Sequence, residues 1–285
     1  MDEMNQVTPP ADERGGFVAE IRDFLGSNRV LIMAIILIAS IVLMISGSIV
    51  GSKTMLVQYA QLLEDYGVDA EFLDSYYAMI NSLGSGSGIS VLIGAIIGNL
   101  PLILTFAGLM MVWSSARNKA ASERMETSGF TLLKVLNIIG IVGYALLALV
   151  LLLAVFGIAV FGAVGLGSLD SVGTTIASVF VGVFIVFVVF GLALIGLYIA
   201  KNVGLNNTIT KLENVVNGVY SEKKVSGFAA VMLIIAGVLG AMGALGSIVS
   251  ANPFSIFGEL LRAAYFIMLG VNINTLKNIV NSYNG

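Results

Sequence analysis

Long apolar stretches alternate with short polar ones along almost the whole chain. Six stretches are predominantly apolar over about 20 residues or more, the length that an α-helix needs to cross the hydrocarbon core of a bilayer. They are residues 30–50, 89–113, 135–164, 172–200, 228–250 and 254–276. The first five contain no charged residue, whereas the sixth contains Glu259 and Arg262. The pattern predicts an all-α polytopic membrane helix bundle with six transmembrane helices.

The N-terminal segment 1–29 precedes the first apolar stretch and lacks the apolar core of a signal peptide. Within it, a helical spacing places four apolar residues on one face. They are Phe17, Ile21, Phe24 and Leu25. We therefore expect a tail that ends in a juxtamembrane amphipathic helix lying along the inner membrane surface. Residues 30–285 would then form one six-helix membrane domain.

Two of the loops between the apolar stretches also have helical patterns. The loop 53–88 predicts an extracytoplasmic pair of short helices that meet at a turn at Gly67, with a flexible Gly/Ser-rich return to the membrane at 82–88. The loop 201–226 spaces apolar residues at helical intervals among polar ones, which predicts a cytoplasmic amphipathic helix in the membrane plane.

The orientation of the bundle follows from lysine and arginine, which are enriched in short cytoplasmic loops. Six spans with both termini in the cytoplasm place twelve of these residues inside and only Lys53 outside. The twelve are Arg14, Arg22, Arg29, Arg117, Lys119, Arg124, Lys134, Lys201, Lys211, Lys223, Lys224 and Lys277. The opposite orientation would reverse this ratio, so we predict that the N-terminus and the C-terminus are both cytoplasmic.

Composition removes several kinds of chemistry. The chain has no cysteine and no histidine, which excludes thiolate nucleophiles, serine–histidine triads and imidazole or thiolate metal ligands. Its net charge of −3 gives no basic field for nucleic acid. The acidic residues of the outer loop do not match a calcium-binding loop. We therefore predict no catalytic residues, no metal and no cofactor.

The second apolar stretch contains an Asn–Leu–Pro sequence, Asn99 to Pro101, in its middle. Proline lacks the backbone donor that the carbonyl of Ile97 would otherwise accept, so we predict a helix kink at these residues. Asn99 or a neighbouring helix could supply the missing donor. A broken helix of this kind also occurs at transporter sites, which is the alternative interpretation.

The last two stretches contain the other candidate residues. Small residues at intervals of three predict a face of the fifth span on which another helix packs closely. They are Gly237, Gly240, Gly243 and Gly246. In the sixth span, Glu259 and Arg262 are three residues apart and share a helical face, so we predict an intramembrane ion pair. The pair either fixes the sixth helix in place or exchanges a proton or cation.

Two functions fit these patterns. The first is a non-enzymatic membrane interaction or scaffold component, because polar residues are sparse in the spans and permeases for polar solutes need several. The alternative is a small transporter or channel-like permease whose path passes near Glu259 and Arg262. We expect the lipid bilayer as the environment, a bacterial plasma membrane as the location, and either self-association or a membrane-protein partner. A polar cavity inside the bundle would favour transport, and a closed apolar core would favour the scaffold.

Overall fold

Seven α-helices make up the regular structure of the described residues. The computed structural model describes residues 11–118, 125–166, 171–217, 225–246 and 252–282. Within these ranges six helices are long and apolar enough to cross a membrane, which confirms the predicted fold class. The helices are α1 (Ala11–Leu25), α2 (Asn28–Asp65), α3 (Ala70–Asn118), α4 (Ser128–Leu166), α5 (Ser171–Val216), α6 (Phe228–Gly246) and α7 (Pro253–Ser282).

The six long helices α2 to α7 form a closed ring. Consecutive helices pack side by side from α2 to α7. Helix α7 also packs against α2, which closes the ring. The least extensive of these six contacts is that between α5 and α6. Each helix therefore has two neighbours, and the centre of the ring is available for side chains from every span. We call the end of the ring that carries the predicted cytoplasmic residues the inner end.

The N-terminal helix α1 closes the inner end of the ring. It contacts α2, α3, α5 and α7, and its apolar residues Phe17, Ile21 and Leu25 are almost completely buried. They pack with Phe130 and Leu212 and with the inner ends of several other helices. The predicted apolar face is therefore present, and it is buried against the bundle. Whether α1 also lies along the membrane surface stays a prediction.

The outer loop is built from continuations of the spans. Helix α2 runs without interruption to Asp65, and α3 is a single helix from Ala70. The predicted turn at Gly67 is present: its φ of +74° allows a left-handed helix end. The backbone N–H of Gly67 donates to the backbone carbonyl of Glu64 at 2.9 Å, and the backbone N–H of Val68 donates to that of Leu63 at 3.1 Å. The predicted flexible return at 82–88 is wrong, since this segment is helical within α3.

Helix α5 also runs further than the sequence pattern predicts. The expected span ends at residue 200 and a separate in-plane helix follows, whereas α5 continues unbroken to Val216. Its apolar residues Leu212, Val215 and Val216 are buried against the inner end of the bundle. Two of the apolar residues that predicted an amphipathic helix on the membrane surface, Leu212 and Val216, are therefore core residues of the bundle. The second half of this loop, 218–224, lies outside the described residues.

The start of α7 is anchored to α2 by one asparagine. The carbonyl oxygen of the Asn252 side chain accepts the backbone N–H of Ser255 at 3.3 Å, and Pro253 occupies the first helical position. The amide nitrogen of Asn252 donates to the backbone carbonyl of Gly47 at 2.8 Å. Asn252 therefore both caps α7 and fixes its outer end to the neighbouring helix.

The four glycines predicted as a packing face differ in their surroundings. A Cβ atom on Gly237 would come within 2.7 Å of the carbonyl oxygen of Ala263, so α6 and α7 are in close backbone contact there. A Cβ atom on Gly240 would lie 3.7 Å from its nearest neighbour, the side chain of Ala263. A Cβ atom on Gly243 would have no neighbour within 4 Å. The surroundings of Gly246 lie outside the described residues. The close contact is completed by Gly270 of α7.

Candidate ligand-binding cavity

An inner cavity of about 290 Å³ occupies the centre of the ring. All six spans and α1 contribute to its walls, and Phe24 and Leu25 of α1 form part of the inner boundary. Most of the wall is apolar. Seven residues with polar side-chain atoms line it besides Lys201. They are Thr105, Asn137, Tyr144, Asn202, Thr208, Tyr265 and Asn272.

An outer cavity of about 580 Å³ adjoins the inner one. The two share five wall residues, so they meet at one level of the ring. These are Pro101, Leu102, Tyr144, Lys201 and Phe266. The outer cavity lies largely between α5 and α6, and it reaches Arg262 of α7. Its wall residues Leu197, Ile235 and Leu239 are exposed on the surface of the bundle. The outer cavity is therefore open toward the region that lipid chains would occupy.

Lys201 lies at the junction of the two cavities, together with residues from well inside two other predicted spans. Tyr144, which lines both cavities, is nine residues from the predicted inner boundary of its span, or about 13 Å at the usual helical rise. Phe266 is ten residues from the predicted inner boundary of α7, about 15 Å. The sequence analysis counted Lys201 among the cytoplasmic lysines because it ends an uncharged stretch. In the structure Lys201 lies within α5, which continues unbroken to Val216, and not in a loop after the helix.

Aromatic rings surround the ammonium group of Lys201. The side chain is 7% exposed, and its Nζ atom lies 4.9 Å from the ring centre of Tyr198 and 5.6 Å from that of Phe266. Tyr198 in turn stacks on Tyr144 at 5.2 Å. Each cation–π contact is worth up to about 2 kcal/mol when desolvated. Burial of an ammonium costs several kcal/mol. The rings therefore offset only part of the cost of burying this charge.

Carboxylates are missing from both cavity walls. Within the described part of the chain, neither cavity is lined by an aspartate or a glutamate. Two glutamates on helices of the ring are paired elsewhere: Glu213 with Lys134 between α4 and α5, and Glu259 with Arg262 on α7. The junction of the cavities thus carries a positive charge with no anionic partner in its wall.

The amide side chains of the inner cavity are only partly satisfied by the protein. Asn202 lies against α4, where a Cβ atom on Gly140 would come within 2.8 Å of its Nδ2 atom. Asn272 is buried, and its amide donates to the thioether sulfur of Met33 at 3.6 Å, a weak acceptor. By contrast, the Thr208 hydroxyl donates to the backbone of its own helix. The two asparagines leave hydrogen-bonding capacity at the cavity.

Glu259 and Arg262 form an ion pair on α7. About a third of each side chain is exposed, so the pair lies at the edge of the bundle and not in its centre. Only Arg262 reaches the outer cavity. The role of the pair in function stays a prediction, but its two charges neutralise each other and leave Lys201 as the unpaired cation of the cavity walls.

Asn99 and Pro101 lie in one unbroken helix. The amide of Asn99 donates to the carbonyl of Ala95 at 2.8 Å and not to that of Ile97, which the proline leaves without its usual donor. The hydroxyl of Thr105 donates to the Pro101 carbonyl at 2.7 Å. Pro101 itself lines both cavities. It therefore lies at the level of Lys201, which the sequence interpretation did not connect with it.

No known protein family, curated protein or solved structure matches this chain. Function must therefore be argued from the cavity.

Sequence analysis did not identify Lys201 and Asn202 as site residues. The available signal was the apolar helical pattern that continues beyond them to Val216, which predicts a helix whether it lies on the membrane or within it.

Proposed function

We propose that this protein is a multi-pass permease of the plasma membrane that binds an anionic solute in the central cavity of its helix ring and passes it across the bilayer. This is the alternative function that the sequence analysis left open, with Lys201 in place of Glu259 as the principal binding group. The proposed role is non-enzymatic, since binding and translocation require no covalent step.

One observation supports the proposal above all others. A cavity lined by all six spans contains a buried lysine and no carboxylate among the described residues. A charged group inside the membrane costs stability, and such groups commonly mark an ion or substrate path. A scaffold would gain more from an apolar residue at this position. The two asparagines beside the lysine would add directional hydrogen bonds to a bound anion.

The scaffold function remains as a second candidate because of helix α4. None of the most apolar part of this helix is buried, and both α4 and α5 expose long apolar faces. Lipid covers such faces in an isolated protein, and another membrane protein would cover them in a complex. This candidate needs no cavity, which makes the two functions separable by experiment.

The test is the access of small water-soluble thiol reagents to the cavity. The chain has no native cysteine, so a single introduced cysteine reports on its own position. Asn137→Cys lies in the cavity wall, and the neighbouring Ile138→Cys is exposed on the lipid-facing side of the same helix. Both variants would be purified, reconstituted into proteoliposomes and treated with a charged methanethiosulfonate from one side at a time.

A permease predicts that Asn137→Cys reacts from both sides of the membrane, because the cavity opens alternately, whereas Ile138→Cys stays unreactive in lipid. A reaction from only one side would reduce the role to a binding protein. Protection of both cysteines from both sides would mean a closed bundle and would support the scaffold.

A further inference from the structure

The cavity combines an anion-binding group with walls that suit a hydrocarbon chain. Lys201 provides the charge at the junction of the two cavities. The outer cavity that leads away from it is lined mainly by aliphatic residues of α5 and α6. They include Leu194, Leu197, Met232, Ile235 and Leu239. A small hydrophilic anion would leave this apolar wall without a partner, whereas an amphiphile would use both parts.

The charge balance of the cavity fits a head group with a single negative charge. Arg262 reaches the outer cavity but is paired with Glu259, so this pair contributes no net charge. Lys201 has ring contacts and no carboxylate partner among the described residues. One monoanion would therefore neutralise the walls, and a dianion would bring a second charge into an apolar environment.

The outer cavity also has an opening at the side of the bundle. Leu197 of α5 and Leu239 of α6 line it and are 44% and 52% exposed. These two helices make the least extensive contact in the ring. Their close approach is near the inner end, where a Cβ atom on Gly204 would meet Ala229 at 3.1 Å. A chain lying between α5 and α6 could therefore extend from the cavity into the bilayer.

We propose that the ligand is a long-chain monoanionic amphiphile, whose head group binds Lys201 and whose chain leaves between α5 and α6. The inference rests on the proposed function and gives its substrate class. Two sources share this chemistry: a free fatty acid, with a carboxylate head, and a bilayer phospholipid with one phosphodiester charge. The amides of Asn137, Asn202 and Asn272 line the inner cavity, where they would donate to head-group oxygens.

The test is the binding of radiolabelled oleate to the full chain in nanodiscs of zwitterionic phosphatidylcholine, followed by scintillation proximity. Competitors separate the parts of the ligand: oleyl alcohol has the chain without the charge, and hexanoate has the charge with a short chain. Phosphatidylglycerol tests the phospholipid source. We expect unlabelled oleate or phosphatidylglycerol to displace the label, and the stronger of the two identifies the source. Oleyl alcohol and hexanoate should compete at least about tenfold more weakly.

Variants then assign the head group to Lys201. Lys201→Met should weaken oleate binding by about tenfold or more, because the ion pair with the carboxylate is lost. Lys201→Arg keeps the charge and should retain binding. Lys277→Met removes a lysine that lines neither cavity and should leave binding unchanged. Equal affinity of Lys201→Met and the parent protein would overturn the proposal.

A second pair of variants tests the side opening without changing the charge. Leu239→Trp should narrow the opening and slow oleate association. Val238→Trp is the matched control, because Val238 is 46% exposed and lines neither cavity. Equal association rates for the two variants would exclude entry between α5 and α6. If hexanoate competes as well as oleate, the ligand is not an amphiphile. The permease proposal would survive that result, provided that Asn137→Cys reacts from both sides.

Discussion

The helix pairs α6–α7 and α4–α5 are built from similar residues and pack in different ways. Both are apolar, rich in glycine, and consecutive in the chain. In α6–α7, Gly237 and Gly270 each bring a neighbouring backbone carbonyl within 2.7 Å of where a Cβ atom would be. In α4–α5, Gly143, Gly182 and Gly196 have nothing within 4 Å. Glycine content alone therefore does not predict close helix packing.

What holds α4 to α5 is polar contact at particular positions. These are the ion pair of Lys134 with Glu213, the Tyr144–Tyr198 stack, and the approach of Asn202 to α4. These contacts are made through side chains, whereas Gly237 and Gly270 bring the backbones of α6 and α7 together. Tyr144 and Asn202 also line the inner cavity, so the α4–α5 contact forms part of its wall.

The largest effect should come from a large side chain in the close contact. Gly237→Leu would place atoms against the backbone of α7 at Ala263, and we expect a loss of about 2–3 kcal/mol in unfolding free energy. Gly243→Leu, six residues further along the same helix, meets open space and should be nearly neutral. Thermal unfolding in detergent measures both. Equal melting temperatures would show that α6 and α7 are not in close contact.

The ion pair on α7 should give a smaller effect. Removing one partner of a buried pair costs about 3–5 kcal/mol, and the one-third exposure of these side chains lowers our expectation to about 1–2 kcal/mol. Glu259→Gln and Arg262→Met should each destabilise the protein, and the double variant should recover most of the loss. If either single variant unfolds like the parent protein, the two side chains are not coupled.

The ion pair between α4 and α5 should give the smallest effect. The Lys134 and Glu213 side chains are less exposed than the α7 pair, but they lie at the predicted inner end, where water can solvate a charge left unpaired. Lys134→Met leaves Glu213 without its cation there, so we expect a loss of about 1 kcal/mol. The double variant Lys134→Met with Glu213→Gln should restore stability. A loss as large as that of Gly237→Leu would mean that the α4–α5 wall is as tightly packed as α6–α7, against the comparison above.

Hydrophobic periodicity was sufficient to predict the six spans and the apolar face of α1, because both depend on local spacing alone. The turn at Gly67 was predictable for the same reason. The buried position of Lys201 in the bundle was not predictable, because the first charge after an apolar stretch usually marks the membrane boundary. Only the ring, in which all six spans enclose a central cavity, makes a buried position for this lysine. Asn252 was also missed, because its contact with Gly47 joins residues far apart in sequence.

The position of residue 201 tests the central claim most directly. A cysteine at Lys201 and one at Asn217 would each be exposed, in opened membranes, to a maleimide carrying a polyethylene glycol chain too large to enter the cavity. The structure places Lys201 7% exposed within the ring and residue 217 just beyond the end of α5. We predict rapid labelling at 217 and almost none at 201. Labelling at 201 as fast as at 217 would return this residue to a cytoplasmic loop and remove the charge from the cavity.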